Sequence, residues 1–165
     1  MIRLLLLGFV AVTGQALGQA ADPPAIDSIK KNGGLILPAP GGEDQWNIQF
    51  QLRGRDLTDD GLGDVAKLGG VVELNLRDTK ITSAGLVHLK GLAKLTRLHL
   101  ERTNIGDEGV AHLTGLTKLE YLNLYSTKIT DKALATIAKL NHLEYLNLYG
   151  TEVTDAGIGL SLIHI

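Results

Sequence analysis

Apolar residues return along this chain at a fixed interval of 24 residues. The clearest copy runs from Leu98 to Leu122 and follows the pattern LxLxxTxIxDxGVxxLxxLxxLxxL. Four copies align at two leucine positions, a threonine and an isoleucine: Leu74, Leu98, Leu122 and Leu146; Leu76, Leu100, Leu124 and Leu148; Thr79, Thr103, Thr127 and Thr151; Ile81, Ile105, Ile129 and Val153. One interval earlier, a weaker copy places Phe50 and Leu52 at the two leucine positions. This self-similarity is typical of a stack of repeated structural units.

Each unit has two halves with different periodicity. Residues 120–125 alternate, so Leu122 and Leu124 face one way and their neighbours the other, which predicts a short strand. A helix follows, and Thr130 is suited to be its N-cap while Asp131 suits the positive helix end. Apolar residues then recur every third position and predict one inward-facing stripe.

The repeated threonine has two interpretations. Its hydroxyl can hydrogen-bond backbone groups in the turn after the strand and form a ladder from one coil to the next. A nucleophilic role is rejected, because four equivalent threonines cannot all be nucleophiles and none has a base at a dedicated spacing.

The repeat resembles the leucine-rich repeat family over about residues 50–158, in its 24-residue LxxLxLxxTxITDxGLxxLxxL form. That form is similar to F-box leucine-rich and ribonuclease-inhibitor-like repeats and is common in exported bacterial proteins. The resemblance implies an α/β right-handed solenoid with a parallel sheet on its concave side and helices on its convex side. We expect four full repeats and a partial one over residues 48–159. Such families usually bind proteins through the concave face.

The N-terminus has the pattern of a secretory signal peptide over residues 1–18. One arginine precedes a short apolar run, Leu4 to Val12, and small and polar residues follow. The run is too short to span a bilayer. We therefore expect export to the periplasm, cell envelope or medium, with no stable membrane span after removal of the signal. The alternative is a buried N-terminal helix.

Residues 19–47 are predicted to form a linker and a cap, because a solenoid must cover its first core layer. A helix over residues 25–32, ended by Gly33, and an edge strand over residues 35–37 are expected. Trp46 is interpreted as part of this cover, and ligand stacking is the alternative. Residues 160–165 fit no repeat. They resemble an in-frame reading of a transposon end used in sequencing libraries, and our hypothesis is a sequencing artefact.

Composition narrows the function classes. The 165 residues fit one domain. A formal charge of −2 argues against a nucleic-acid partner, which usually requires a basic face. The chain has no cysteine, which excludes disulfides, a catalytic thiol and thiolate metal sites. No cofactor is predicted.

The strand residues between and beside the leucines form a candidate contact surface. All four tyrosines fall on it, in two adjacent repeats, together with two asparagines: Tyr121, Asn123, Tyr125, Tyr145, Asn147 and Tyr149. Adjacent strands lie about 4.8 Å apart, so the tyrosines should stack in pairs. One interpretation is cross-strand stabilisation of the sheet, and the other is a partner-binding patch, since Tyr and Arg are enriched in interface hot spots.

A second group on the same face is mixed in sign: Arg77, Arg97, His99, Glu101 and Arg102. It is interpreted as a solvated part of the contact surface. An acid–base pair of His99 and Glu101 is rejected, because one open strand offers no pocket to tune either pKa. His88 and His112 share a helix position, but two ligands without a third make a poor metal site.

The sequence thus predicts a non-enzymatic protein-binding module that uses its concave face. Glycan binding through the Tyr and Asn side chains is one alternative. A structural spacer inside a longer envelope protein is another.

Overall fold

The computed structural model describes the backbone of residues 22–42 and 44–161 and the side chains of residues 22–42 and 44–158. The predicted signal peptide lies outside the described residues, as do residues 162–165 of the predicted tail. Within the described ranges, no helix combines the length and apolar character needed to cross a membrane.

Within the described residues, the strands form one six-stranded sheet in chain order. They are β1 (Leu35–Pro38), β2 (Trp46–Gln49), β3 (Val71–Asn75), β4 (Arg97–His99), β5 (Tyr121–Asn123) and β6 (Tyr145–Asn147). β1 pairs with β2 in the antiparallel sense, and every later pair is parallel. Parallel neighbours need a crossover, and each one here is a single solenoid coil.

The return segments of the coils are short helices. The α-helices are α1 (Pro23–Lys31), α2 (Asp59–Ala66), α3 (Asp107–Val110), α4 (Asp131–Ile137) and α5 (Asp155–Ser161). Two 3-10 helices, Gly85–Gly91 and Ala111–Gly115, complete the second and third coils. α1 precedes the first coil, and its Ala25, Ile26 and Ile29 join the core together with Trp46. Trp46 is therefore a buried part of the N-terminal cover rather than an exposed stacking platform.

The paired leucines of the repeat strands share one interior. The leucine in each of β3, β4 and β5 has no exposed surface, and neither has the leucine two residues later. Ile81, Ile105 and Ile129 are equally buried. In the last coil, Leu146, Leu148 and Val153 are only partly buried against this core.

The first coil corrects the repeat alignment by two residues. Ile48 pairs with Leu74, and the Phe50 N–H donates to Asn75 O as the Leu76 N–H donates to His99 O. The core positions are thus Ile48 and Phe50, whereas Leu52 is 66% exposed. The Lys80 N–H donates to Leu57 O as the Asn104 N–H donates to Ile81 O, so the two extra residues lie between Phe50 and Leu57.

The repeated threonine does not bridge coils, contrary to the prediction. Thr79, Thr103 and Thr127 are buried, and each hydroxyl donates to the carbonyl three residues earlier, at 2.6 to 2.7 Å. Each threonine therefore closes its own turn.

The bridge between coils is formed by the aspartate at the helix start. Asp59, Asp107 and Asp131 each accept hydrogen bonds from the backbone N–H and the hydroxyl of a threonine 23 residues later. The threonines are Thr82, Thr130 and Thr154, and the distances are 2.6 to 2.8 Å. We call this set the Asp–Thr ladder.

Candidate interaction surface on the concave face

Sheet register brings the predicted site residues of neighbouring coils side by side on the concave face. One row is formed by Glu73, Arg97, Tyr121 and Tyr145, and the row beside it by Asn75, His99, Asn123 and Asn147. The 24-residue interval therefore assigns the face correctly for the later coils. In the first coil, Asn47 and Gln49 occupy the equivalent positions.

The four tyrosines stack in two pairs. The ring centroids of Tyr121 and Tyr145 lie 4.4 Å apart with an interplanar angle of 2°. Those of Tyr125 and Tyr149 lie 5.8 Å apart at 4°. Tyr149 is 76% exposed. The pairs form an accessible aromatic surface whose rings hold each other in place.

An arginine extends each tyrosine pair toward the N-terminal coils. The guanidinium carbon of Arg97 lies 4.4 Å from the ring centre of Tyr121, and that of Arg102 lies 5.5 Å from that of Tyr125. Both are cation–π distances. The result is two Arg–Tyr columns, one of Arg97, Tyr121 and Tyr145 and the other of Arg102, Tyr125 and Tyr149.

The columns perturb the ionisation of their members. The hydrogen bond with Tyr125 and the charge of Asp78 raise the pKa of Arg102 above its ordinary value. Hydrogen bonds from Ser126 and then Arg102 lower the pKa of the Tyr125 phenol. Burial raises the pKa of Tyr121, because desolvation penalises the phenolate.

Carboxylates anchor the arginines from the N-terminal side. Glu73 Oε2 lies 3.9 Å from Arg97 Nε. Asp78 pairs with two arginines, at 3.3 Å from Arg77 Nε and 3.6 Å from Arg102 Nη1. The arginine side chains are about half exposed, whereas the side chains of Glu73 and Asp78 are about a quarter exposed. The guanidinium groups thus form the outer layer.

Glu101 corrects the interpretation of the mixed-charge group as solvated. It is only 7% exposed, and its Oε1 lies 3.2 Å from His99 Nδ1 and accepts a 2.8 Å hydrogen bond from Asn123 Nδ2. Its Oε2 has no hydrogen-bond partner among the described residues. The carboxylate points inward because His99 and Asn123 contact it there, and it lies beneath the exposed surface.

The asparagines have a role that sequence reasoning missed. Asn75, Asn123 and Asn147 each accept, through Oδ1, a hydrogen bond from the backbone N–H two residues later, at 3.0 to 3.1 Å. This local bond shapes the turn after the strand. The amide of Asn123 also donates to Glu101 and to the Tyr121 hydroxyl, so it is engaged within the protein. The signal available in the sequence was the repetition of Asn at one position of the repeat.

Two further residues of the concave face lie on β1. Leu35 pairs with Gln49 and Leu37 with Asn47, and directly opposed side chains share a sheet face. Both leucines are exposed. The sequence pattern predicts β1 only as a covering edge strand and does not place these two side chains on the surface.

The comparisons with known proteins agree with this architecture. The family model "Leucine rich repeat" matches residues 94–153, which include β4, β5 and β6. Residues 94–153 thus form leucine-rich repeats. No curated protein matches it.

Two solved internalin structures are similar to this chain. Internalin C2 of Listeria monocytogenes strain 4b F2365 matches with a TM-score of 0.50 and 30% identity, over 56% of this chain and 38% of that one. Another internalin of that strain, inlF, matches with a TM-score of 0.46 and 23% identity, over 62% of this chain and 36% of that one. The chain therefore spans less than two fifths of either internalin.

Other candidate chemistry is sparse in the leucine-rich repeat coils. Among the residues that the structure describes, no three His, Asp or Glu side chains are grouped to hold a metal. His88 is exposed and His112 partly so, on the helical side of their coils. An open cleft of about 420 Å³ lies where α1 ends, beside Lys30, Leu35 and Leu52, away from the tyrosines.

Proposed function

We propose that this chain is an exported, non-enzymatic protein-binding module whose contact surface is the concave face. The observation that carries the proposal is the pair of Arg–Tyr columns, which presents four stacked aromatic rings beside half-exposed arginines. Interface hot spots are enriched in these residue types.

The family and the packing of the columns support this proposal. The leucine-rich repeat match and the internalin-like fold support a protein-interaction module in general. Stacking of Tyr121 on Tyr145 restricts both side chains before any partner arrives. Less side-chain entropy is then lost on association, which is an advantage for binding.

The alternatives receive less support. Tyr121 has Arg97 over one face and Tyr145 on the other, so a sugar would find only the outer rings free. The Asn123 amide is already hydrogen-bonded within the protein. His99 and Glu101 lie on an open sheet that has no walls to position a substrate, and the Glu101 carboxylate is buried and hydrogen-bonded to Asn123.

Substitution of the two most exposed tyrosines tests the contact surface. Immobilised wild-type protein and a Tyr145→Ser/Tyr149→Ser variant are incubated with secreted proteins and, separately, with a glycan array. We expect a protein partner to bind the wild type and to lose at least about tenfold in affinity for the variant, while the melting temperature changes little. Val87→Ser is the matched control, because Val87 is an exposed apolar side chain on a helix of the convex side.

Each other outcome argues against the proposal. Equal capture by the variant would remove the concave tyrosines from the contact. Tyrosine-dependent binding to glycans alone would favour the glycan alternative, and a wild type that captures nothing would favour a structural spacer.

Export is tested by expression with and without residues 1–18. We expect the full chain to leave the cytosol and the shortened chain to remain there. An unchanged cytosolic location of the full chain would contradict this part of the proposal.

A further inference from the structure

The concave face has apolar groups at both ends and charged groups between them. Leu35 and Leu37 lie on the first strand of the sheet, and Tyr145 lies on the sixth, with Tyr149 in the turn after it. All four side chains are exposed. Six adjacent strands place the two ends roughly 24 Å apart, since neighbouring strands lie about 4.8 Å apart.

The charged centre of this face presents cations outward. Arg77, Arg97 and Arg102 are about half exposed, whereas the side chains of Glu73 and Asp78 are about a quarter exposed and Glu101 is buried. Each guanidinium carries five N–H donors, and its single carboxylate contact leaves several of them unused. A ligand that crosses the sheet meets guanidinium groups first.

We propose that the concave face binds an extended acidic segment of a protein, which runs across the strands. Its Asp or Glu side chains contact Arg77, Arg97 and Arg102, and an apolar side chain at each end contacts the leucines of β1 or the outer tyrosines. The roughly 24 Å between the ends corresponds to about seven extended residues. This inference rests on the proposed function and adds the chemistry of the partner.

Charge complementarity decides between acidic and basic ligands. A Lys or Arg side chain would approach three half-exposed guanidinium groups, while the carboxylates that could receive it lie beneath them. Carboxylates instead accept charge-assisted hydrogen bonds from arginine, often in bidentate geometry.

A displayed library of random ten-residue peptides, selected on the full chain, tests the proposal. We expect enrichment of Asp and Glu in the middle and of apolar residues at both ends. The enriched peptides should lose at least about tenfold in affinity for an Arg97→Gln/Arg102→Gln variant, and their binding to wild type should weaken with added salt. Lys90→Gln is the control for charge, because Lys90 is an exposed cation on the convex side.

A second variant tests the apolar ends separately. Leu35→Ser/Leu37→Ser should remove the preference for an apolar residue at one end of the enriched peptides and leave the acidic preference in place. The folding of every variant is followed by its melting temperature, so that loss of binding is not confused with loss of structure.

The contradicting outcomes are distinct. Enrichment of Lys and Arg, or binding that ignores the arginine substitutions, overturns the inference. Arginine-dependent binding of polygalacturonate with no enriched peptide overturns it in favour of an anionic glycan. If no peptide is enriched while tyrosine-dependent protein capture persists, this inference fails and the proposed function stands; if that capture is also absent, both fail.

Discussion

One backbone position after each repeat strand has left-handed geometry and decides where the next side chain points. Asp78, Arg102, Ser126 and Gly150 occupy it, with φ values of 59°, 54°, 53° and 72°. The N–H groups of the first three each donate to a carbonyl of the next coil, 23 residues later: Asp78 to Glu101, Arg102 to Tyr125 and Ser126 to Tyr149. At this turn Arg102 reaches the ring of Tyr125. The column of Arg102, Tyr125 and Tyr149 thus contains one residue, Arg102, in a conformation that L-residues rarely adopt.

Gly150 is the member of this set that pays no penalty for the conformation. We predict that Gly150→Ala lowers the free energy of unfolding by about 1 kcal/mol, because a Cβ is disfavoured at positive φ. That Cβ would also lie 3.0 Å from Ser126 Oγ. Urea unfolding measures the change. Gly91→Ala is the control, since nothing lies within 4 Å of a Cβ there and its φ is not in the left-handed range; equal effects at the two sites would contradict the explanation.

Asp131 couples the last bond of the Asp–Thr ladder to pH. The backbone N–H of Thr154, and then its hydroxyl, lower the pKa of the Asp131 carboxyl below its ordinary value of 3.8. The pKa is depressed in the folded state, so this stabilisation is complete above the unfolded pKa. It is lost as the pH falls through the folded pKa.

We predict that wild type exceeds Asp131→Asn in stability at neutral pH and that the difference shrinks as the pH falls below about 4. Urea midpoints of the two proteins across this range measure it. Other acidic groups that titrate in the same range are common to both proteins and cancel in the comparison. A difference independent of pH would show that the carboxylate charge is not what the Thr154 groups recognise.

The Asp–Thr ladder has one altered step, between the second and third coils. Ser83 stands at the aspartate position and Gly106 at the threonine position, and the Gly106 N–H donates to Ser83 Oγ at 2.9 Å. Gly106 has φ −119° and ψ −170°, close to the values of Thr130, φ −118° and ψ −177°. A threonine therefore suits the backbone at position 106, and a Cβ there has no contact closer than 3.6 Å.

We predict that Ser83→Asp/Gly106→Thr stabilises the protein by about 1–2 kcal/mol. Replacing glycine reduces the freedom of the unfolded chain, and the new carboxylate gains a charge-assisted bond. Thermal or urea unfolding measures the gain. Ser83→Asp alone is the informative control, because it supplies the acceptor without the hydroxyl and should gain less; a double variant no more stable than wild type would contradict the ladder's role.

The strand–helix alternation and the inward leucines could be predicted from the interval alone, because successive side chains of a strand point to opposite faces of the sheet. The first coil could not. Phe50 and Leu52 have the correct spacing and polarity for the leucine positions, and only hydrogen bonding reveals that Ile48 and Phe50 fill them. A turn lengthened by two residues keeps the alternation of the pattern, so the hydrophobic signal cannot detect it.

The sequence predicts most of the residues of the candidate surface, but only part of how their side chains are arranged. The stacking of Tyr121 on Tyr145 follows from register. The burial of Glu101 does not, because it depends on His99 and Asn123, which belong to two different coils. Leu35 and Leu37 were missed for a similar reason: an antiparallel strand outside the repeat carries no periodic signal to assign its faces.

The whole chain behaves as an array in which a coil is stabilised by its neighbours on both sides. The leucine at the first core position of β3, β4 and β5 has no exposed surface, because core side chains of adjacent coils cover it. The equivalent Leu146 of β6 is only partly buried. In such arrays, stability is approximately a sum of terms for single repeats and for their interfaces. The free energy of unfolding that a core substitution removes should therefore depend on how deeply the substituted side chain is buried in its own coil.

A position-matched series tests this distribution. We predict that Leu74→Ala, Leu98→Ala and Leu122→Ala each lower the free energy of unfolding by about 2–5 kcal/mol, because each leaves a cavity in a closed core layer. Leu146→Ala should cost clearly less, since water already reaches part of that side chain and less apolar surface is lost from the core. The four leucines align in one row of the sheet, which keeps backbone geometry constant across the series. Urea unfolding of the four variants measures the trend. Four equal losses would contradict the prediction, because they would show that the cost of each substitution does not depend on how deeply its leucine is buried.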